Sequence, residues 1–399
     1  MKNKIANDSL VRAGFIILVA YGIYQATNFL YHFFSARMLG PAEYSIVASL
    51  FSIIYLIGIG STTIQNTITK FTARFKAENN LGKVSYLFHR GLKKLFVYSI
   101  ILTAIFLIIS PLIADFLKIP LISVVILGPI ILISVLLPLN KGLLQGLQNF
   151  KGLGINMIIE GVIKLFLAIT LIYLGFKANG AIFAVVVSIL IAFLFTFPLL
   201  KFKKEKPVKI DSKEIYKFSL LLFIALFLIT AVYNVDIFLV KHFFSAETAG
   251  HYAVLSLLGK IIFFAATSIG LVMFPKVVEG KSNNKRIFGK SLIFASIISI
   301  IIVVIYFALS SQIIGIAFGS NYLSISGLLG IFGISMTLLS LSYICVLHKL
   351  GTGKKKFIFN LLAAVIIEIA LISLFHSNLS QVVISLIIIN ALLFISLLK

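Results

Sequence analysis

The chain has 399 residues, of which 60% are hydrophobic and only 12% are charged, and its mean hydropathy is +1.12. A soluble protein of this length needs far more polar surface to cover its core, so this composition excludes a water-soluble globular fold. The formal net charge of +23 does not indicate a nucleic-acid partner, because the 35 Lys and Arg residues lie mostly in short clusters between long apolar runs.

Twelve apolar runs follow one another along the chain. A helix needs about 20 apolar residues to cross the roughly 30 Å hydrocarbon core of a bilayer, and each run approaches or exceeds that length. The sequence therefore predicts an all-α integral membrane protein with about twelve transmembrane helices, although the last two runs are short enough for a re-entrant hairpin. The predicted spans are residues 12–36, 44–68, 91–114, 121–144, 153–175, 179–200, 217–240, 252–275, 288–311, 323–347, 357–375 and 380–398.

The basic residues predict the orientation of these spans. Lys2, Lys4 and Arg12 precede the first run, which has no small-residue cleavage site, so we expect a retained span rather than a signal peptide. Twenty-nine Lys and Arg residues lie on the side of the two termini, and the opposite side carries only Arg37, Lys118, Lys177 and Lys241. By the positive-inside rule we expect a multi-pass protein of the cell (plasma) membrane, with both termini cytoplasmic and its basic loops in contact with anionic membrane lipids.

A short sequence recurs at equivalent positions in the two halves of the chain. His32-Phe33-Phe34-Ser35-Ala36 ends the first span, and His242-Phe243-Phe244-Ser245-Ala246 ends the seventh. A Gly and a Tyr follow each copy, as Gly40 and Tyr44 and as Gly250 and Tyr252. Because spans one and seven run in the same direction, we predict two pseudo-symmetric six-helix lobes, residues 1–200 and 217–399, joined by a basic cytoplasmic linker at 201–216.

Polar side chains recur along one face of each of the first two spans. They are Tyr21, Gln25, Asn28, His32 and Ser35 in span one, and Ser45, Ser49, Ser52, Tyr55, Thr62, Asn66 and Thr69 in span two. Such a stripe faces water or another helix, since unpaired polar groups are costly in hydrocarbon. It can hold helices together by hydrogen bonds, or it can line a hydrated substrate cavity with Gln25, Asn28, His32, Ser52 and Tyr55.

Five charged side chains lie inside predicted spans, where each costs about 3 kcal/mol at mid-span. They are Glu160, Lys164, Asp236, Lys260 and Glu368. Glu160 and Lys164 are four residues apart and can neutralise each other across one helical turn, and Asp236 can pair with Lys260. Two interpretations stay open: buried ion pairs that fix helix packing, or lysines that bind an anionic phosphate and a carboxylate that binds a coupling proton or cation. Glu368 has no evident partner in the sequence.

The sequence does not favour an enzyme or a metal site. The predicted outer loops are short, and their only acidic residues, Glu43, Asp115 and Glu247, are far apart in the chain. The single cysteine, Cys345, lies inside an apolar run, so neither a disulfide nor a Cys/His metal cluster is predicted. We therefore expect no catalytic residue, no metal and no cofactor, and we expect a monomer.

Seven segments carry a resemblance to a known family. In the first half they are Ala36-Arg37-Met38-Leu39-Gly40-Pro41-Ala42-Glu43-Tyr44, Leu137–Gly146 with Phe150, and Glu160–Leu165. In the second half they are Asn234-Val235-Asp236, Val240–Phe244, Ala249–Tyr252 and Leu258-Gly259-Lys260. In order and spacing these segments resemble the multidrug/oligosaccharidyl-lipid/polysaccharide (MOP) exporter superfamily, and those of the second half resemble its polysaccharide biosynthesis branch. The resemblance extends from residue 10 to about residue 290.

This resemblance implies a MATE-like fold of two six-helix lobes that works by alternating access. It implies a flippase that moves an undecaprenyl- or dolichyl-linked oligosaccharide from the cytoplasmic to the outer leaflet. Lys164 and Lys260 are then candidates for contact with the phosphate of this lipid-linked oligosaccharide, and Glu160, Asp236 and Glu368 are candidates for a coupling proton or sodium ion. The alternative on the same fold is a proton- or sodium-coupled multidrug antiporter. Flippases of this kind usually have a clearly cationic cavity, whereas here two lysines stand against three acids.

Overall fold

Helices account for all the regular structure that the computed structural model describes, in residues 2–200, 205–210, 213–278, 284–352, 354 and 356–398. A π-helical turn at Ile172–Phe176 joins α5 to α6, and 3-10 turns lie at Phe197–Leu199 and Ser320–Ile325. The predicted all-α class is therefore confirmed. In chain order the helices are α1 (Lys2–Ala77), α2 (Leu81–Leu117), α3 (Leu121–Val125), α4 (Leu127–Gly146), α5 (Phe150–Leu171), α6 (Lys177–Thr196), α7 (Lys213–Val232), α8 (Val235–Phe243), α9 (Ala246–Val278), α10 (Asn284–Phe318), α11 (Ser326–Gly351), α12 (Phe357–Leu374) and α13 (Leu379–Leu398).

The twelve predicted spans lie on these helices. Within the described residues, ten helical stretches are long and apolar enough to cross a membrane. Two of them, Val19–Ala77 and Phe150–Leu199, contain 59 and 50 residues, which is more than twice the 20 or so that one crossing needs. Each is interrupted by a glycine with a positive φ, Gly40 at 73° and Gly175 at 88°, where any other residue would be strained. Each long stretch therefore covers two predicted spans.

The last two predicted spans are two separate helices. α12 has 18 residues and α13 has 20, so at 1.5 Å per residue they extend for roughly 27 and 30 Å. Both lengths fall within the roughly 17–25 residues of transmembrane helices, and both helices are apolar enough to cross a membrane.

The helices form two compact units. The N-terminal unit contains Met1–Leu39 and Ile53–Leu226, and the C-terminal unit contains Gly40–Ser52 and Phe227–Lys399. Of the predicted linker, residues 201–204 and 211–212 lie outside the described residues, and the backbone N–H of Val208 donates to the Gly82 carbonyl (2.9 Å) within the N-terminal unit. The lobe boundaries at 200 and 217 stay a prediction.

In the N-terminal unit, α4 lies close to the second half of α1. A Cβ atom on Gly142 would lie 2.7 Å from the Gln65 carbonyl oxygen, and one on Gly146 would lie 2.5 Å from the Cβ atom of Thr72. Two helices can approach this closely only where one of them has no side chain. The apolar core around this crossing includes Ile68, Phe71, Phe75, Leu87, Phe88, Leu139, Leu143 and Leu144. The crossing also draws Lys141, the neighbour of Gly142, into the interior of the unit.

In the C-terminal unit, the segment that follows the first copy of the sequence repeat packs against the start of α9. The segment Gly40–Ser52 begins at Gly40, whose φ of 73° and ψ of 174° are not helical. A Cβ atom on Gly250 of α9 would overlap the Pro41 carbonyl group. The side chains that follow the two glycines, Tyr44 and Tyr252, are 1% and 0% exposed. Gly250 and the two tyrosines thus serve close packing, whereas Gly40 serves the change of backbone conformation, since nothing lies within 4 Å of its Cβ position.

Lys241 is buried by the same segment. It lies on α8, is 3% exposed, and donates a hydrogen bond from Nζ to Ser45 Oγ at 2.9 Å. That Lys241 lies on the side opposite the termini stays a prediction, and the structure adds that this lysine is covered by protein. The apolar spacing of α8 ends near this residue, and the sequence alone does not reveal that residues 40–52 cover it.

Ion pairs join the ends of α1, α2 and α7 within the N-terminal unit. Arg74 contacts Glu78 at 3.2 Å and Glu214 at 2.8 Å, and Lys83 contacts Glu78 at 2.7 Å. The hydrogen bond from Lys83 holds the pKa of Glu78 below its usual value. Because these side chains are exposed to solvent, the pairs contribute little to stability.

Candidate functional site

Three helices of the N-terminal unit bring polar and charged side chains together inside apolar surroundings. Helix α5 approaches α1 closely at Gly161, where a Cβ atom would overlap Thr27 Oγ. Because Gly161 lies between Glu160 and Lys164 in the chain, both charged side chains reach the polar face of α1. That face carries Tyr24, Asn28 and Tyr31 at steps of four and three residues, which place them on one side of a helix.

Glu160 forms a buried ion pair with Lys141 of α4. The Lys141 Nζ lies 2.6 Å from Glu160 Oε2, and only 12% and 9% of the two side chains are exposed. Tyr24 donates its hydroxyl proton to the other carboxylate oxygen, Oε1, at 2.9 Å. Within the described residues, no nitrogen–oxygen distance of 4.0 Å or less joins Glu160 to Lys164. Lys141 of α4, rather than Lys164 of α5, therefore neutralises the charge of Glu160.

Lys164 is held by an amide and two aromatic rings. Its Nζ donates to Asn28 Oδ1 and lies 5.7 Å from the ring centre of Tyr24 and 5.3 Å from that of Tyr31. Ring faces attract a cation without neutralising it. Tyr31 is fixed in turn by a hydrogen bond to the Ala181 carbonyl (2.9 Å). We call Tyr24, Asn28, Lys141, Glu160 and Lys164 the lysine cluster. Because it contains two ammonium groups and one carboxylate, the lysine cluster has one surplus positive charge.

The other predicted cavity residues of the first two spans divide into two groups. Gln25 contacts Asn28 (3.4 Å) beside the lysine cluster, and the Tyr55 hydroxyl lies 3.4 Å from His32 Nε2. Ser52 instead donates to the Ala48 carbonyl of its own helix (3.2 Å) and belongs to the C-terminal unit. Of the stripe on span two, several hydroxyls are satisfied in the same way by their own helix, namely Ser45, Ser49 and Thr69.

A second charged group lies in the C-terminal unit, where the predicted span 217–240 is broken. α7 ends at Val232 and α8 begins at Val235, so Tyr233 and Asn234 form a turn between them. Lys260 of α9 donates to Asn234 Oδ1 (3.0 Å) and lies 5.6 Å from the Tyr233 ring centre. Interrupted helices of this type mark binding sites in many transporters, because the freed backbone and side-chain groups are available to a ligand.

Asp236 and Glu368 complete this second group. Asp236 accepts hydrogen bonds from the Tyr252 hydroxyl (2.5 Å) and from the Ile237 backbone N–H (2.8 Å). Glu368 of α12 is 1% exposed, and neither of its carboxyl oxygens has a hydrogen-bond partner among the described residues. The two carboxyl groups are close enough to interact electrostatically. We call Asp236, Tyr252 and Glu368 the acid cluster.

Lys141 is the residue of these clusters whose ion pair was not predicted in the sequence analysis. It is counted there among the cytoplasmic charges, although the predicted span 121–144 already contains it. That overlap was a usable signal, because a lysine inside a span calls for a partner. Tyr24, Tyr31 and Tyr233 carry no comparable signal, since an aromatic residue in a membrane helix is common.

A family model and a curated relative match this chain. The model of a family described as polysaccharide biosynthesis protein matches residues 34–327. An uncharacterized membrane protein of Methanocaldococcus jannaschii is 24% identical over 296 residues, which make up 68% of this chain and 69% of that protein.

The fold is similar to solved transporter structures. One is the inward-facing conformation of a multidrug resistance MATE family transporter of the MOP superfamily, with a TM-score of 0.76, 15% identity, and coverage of 95% of this chain and 96% of that chain. Another is the lipid II flippase MurJ in an inward closed conformation, with a TM-score of 0.75, 13% identity, and coverage of 96% and 87%. At these identities the likeness concerns the fold, and it confirms the MATE-like architecture.

Proposed function

Since the chain belongs to the polysaccharide biosynthesis protein family, a branch of the MOP superfamily of membrane transporters, we propose that it is a flippase for a lipid-linked oligosaccharide. The substrate is an oligosaccharide on a polyprenyl phosphate or pyrophosphate, and alternating access carries it from the cytoplasmic to the outer leaflet for polysaccharide or glycoprotein glycan synthesis. The protein works as a monomer in the plasma membrane with both termini in the cytoplasm.

The observation that supports this substrate class is the surplus positive charge of the lysine cluster. Lys164 is 5% exposed, and its hydrogen bond to Asn28 leaves two of its three N–H donors without a partner among the described residues. A phosphate oxygen is a strong acceptor for such donors, and it supplies the negative charge that the site lacks. Gln25 and the Tyr55–His32 pair offer amide, hydroxyl and imidazole groups suited to sugar hydroxyls.

The acid cluster is suited to coupling. Two ionised carboxyl groups repel each other, and Lys260 offsets only one of the two charges, so the pair favours an added proton or cation. Tyr252 donates a hydrogen bond to Asp236, whereas Glu368 has no hydrogen-bond partner among the described residues. We propose that Glu368 and Asp236 take up the coupling proton or sodium ion and that Lys260 responds to this change through its attraction to Asp236.

Complementation tests the flippase directly. The gene is expressed in a host that lacks its own oligosaccharide flippase, and surface glycan is quantified against the empty vector. We expect restored glycan and no increase in resistance to cationic drugs. Failure to restore glycan with several different lipid-linked oligosaccharides would contradict the proposal, provided that the protein is found in the membrane.

The alternative function, a proton- or sodium-coupled multidrug antiporter, has one observation in its favour. The acid cluster places two carboxyl groups against Lys260, and such a surplus of acid can attract an organic cation. Resistance to cationic drugs on expression, lost in Asp236→Asn, together with no restored glycan, would establish the antiporter in place of the flippase.

Glu368→Leu is expected to make the protein more stable and less active. Removal of a buried carboxyl group without a hydrogen-bond partner should stabilise the fold by about 1–3 kcal/mol. Thermal unfolding in detergent measures this change in stability. Transport should lose its response to a proton or sodium gradient across vesicles. Glu247→Leu, at an exposed position, is the matched control and should change neither quantity. A Glu368→Leu protein with normal gradient-driven transport would exclude Glu368 from coupling.

A further inference from the structure

The lysine cluster contains more charge than phosphate binding alone requires. Lys141 and Lys164 come from different helices, α4 and α5, and both lie near Glu160. Their contacts differ, however, since Lys141 is bound to the Glu160 carboxylate at 2.6 Å while Lys164 contacts Asn28 and two rings. The two lysines therefore have different tasks.

The ion pair of Glu160 determines which of the two lysines keeps a positive charge that an anionic ligand can neutralise. Both of its oxygens are occupied, one by Lys141 and the other by the Tyr24 hydroxyl. If Lys141 were absent, the nearest cation to the Glu160 carboxylate would be Lys164, four residues along α5, a spacing at which opposite charges meet on a helix. Lys164 would then be neutralised by Glu160 and lost to an anionic ligand.

We infer that Lys141 is a positioning residue: by holding Glu160, it leaves Lys164 as the uncompensated cation that meets the phosphate of the substrate. This inference rests on the proposed function and assigns a role to a residue outside the predicted site. Lys141 does not contact the substrate, and the uncompensated charge of Lys164, rather than the shape of the site, selects an anionic lipid over a neutral or cationic one.

Charge-neutral substitutions test this role. The purified full chain is titrated with radiolabelled geranylgeranyl phosphate in detergent, with tetraphenylphosphonium as the cationic control probe. Lys141→Gln should weaken phosphate binding by roughly 30-fold, because Glu160 is freed to neutralise Lys164. Glu160→Gln should bind at least as tightly as the natural chain. The double variant Lys141→Gln/Glu160→Gln should return to within about threefold of the natural affinity, since it restores the single uncompensated lysine.

The outcomes separate this inference from the proposed function. Lys141→Gln binding as tightly as the natural chain, or a double variant as weak as Lys141→Gln, would overturn the positioning role while leaving phosphate binding intact. If the natural chain does not bind geranylgeranyl phosphate, or binds tetraphenylphosphonium instead, the proposed function itself fails.

A second pair of variants keeps the test valid if Lys141→Gln does not fold. Lys164→Gln should bind phosphate weakly, and the addition of Glu160→Gln should strengthen its binding at least about fivefold, because the charge of Lys141 is then released. No gain from Glu160→Gln in this background would overturn the inference. Thermal unfolding of each variant accompanies the titrations, so that a loss of folded protein is not mistaken for a loss of affinity.

Discussion

Lys164→Gln is expected to reduce flipping of a lipid-linked oligosaccharide by roughly 30- to 150-fold. A hydrogen bond to a charged group contributes about 1.5–3 kcal/mol, which together with the lost charge accounts for a change of this size. Glutamine keeps a hydrogen-bonding group next to Asn28, so the fold should be retained. The measurement is surface glycan in the flippase-deficient host, normalised to the amount of protein in the membrane.

Lys177→Gln is the matched control for this change. Lys177 begins α6 and is exposed, so the same substitution removes the same charge without touching the lysine cluster. Glycan levels should stay at the natural level in this variant. Equal glycan levels in Lys164→Gln and Lys177→Gln would remove Lys164 from the substrate site.

Gly250→Ala is expected to cost about 3 kcal/mol or more of stability and to yield little folded protein. The added methyl group would overlap the Pro41 carbonyl, and a backbone group cannot rotate away as a side chain can. The segment Gly40–Ser52 would be displaced from the C-terminal unit, which would also break the hydrogen bond from Lys241 to Ser45. Thermal unfolding in detergent and the yield of monodisperse protein measure the effect.

Gly289→Ala provides the control for helix propensity. Gly289 lies in α10, and no atom lies within 4 Å of the Cβ position there, so alanine should be neutral or stabilise the helix by up to about 1 kcal/mol. A Gly250→Ala protein as stable as Gly289→Ala would contradict the close contact between Pro41 and Gly250.

The positions of the spans could be predicted from hydropathy, because a chain can cross a bilayer as long apolar helices and in few other ways. The two long helical stretches break at Gly40 and Gly175, which lie at or near the predicted ends of the first and fifth spans. The break at Tyr233 and Asn234 was not predictable in this way. Neither residue is a glycine or a proline, and the apolar run continues across them, so only the packing of Lys260 against Asn234 reveals the turn.

The candidate site was predictable in its charged residues but not in its pairings. Glu160 and Lys164 stand out because a charge inside a span is costly, yet the partner of Glu160 comes from α4, at a sequence distance that no helical spacing indicates. The polar stripe of span two was the weaker signal. Hydroxyls such as those of Ser49 and Ser52 donate to their own helix, so a polar face can be satisfied without a cavity behind it.

Flipping in reconstituted vesicles tests the central claim most directly. The natural chain is inserted into liposomes with a fluorescent polyprenyl-diphosphate oligosaccharide, and a membrane-impermeant quencher reports the fraction of probe in the outer leaflet over time. We predict that the natural chain and Lys177→Gln move the probe between leaflets, whereas Lys164→Gln remains near the protein-free rate. Movement of the probe at the natural rate by Lys164→Gln, or no movement by the natural chain, would contradict a phosphate-binding flippase.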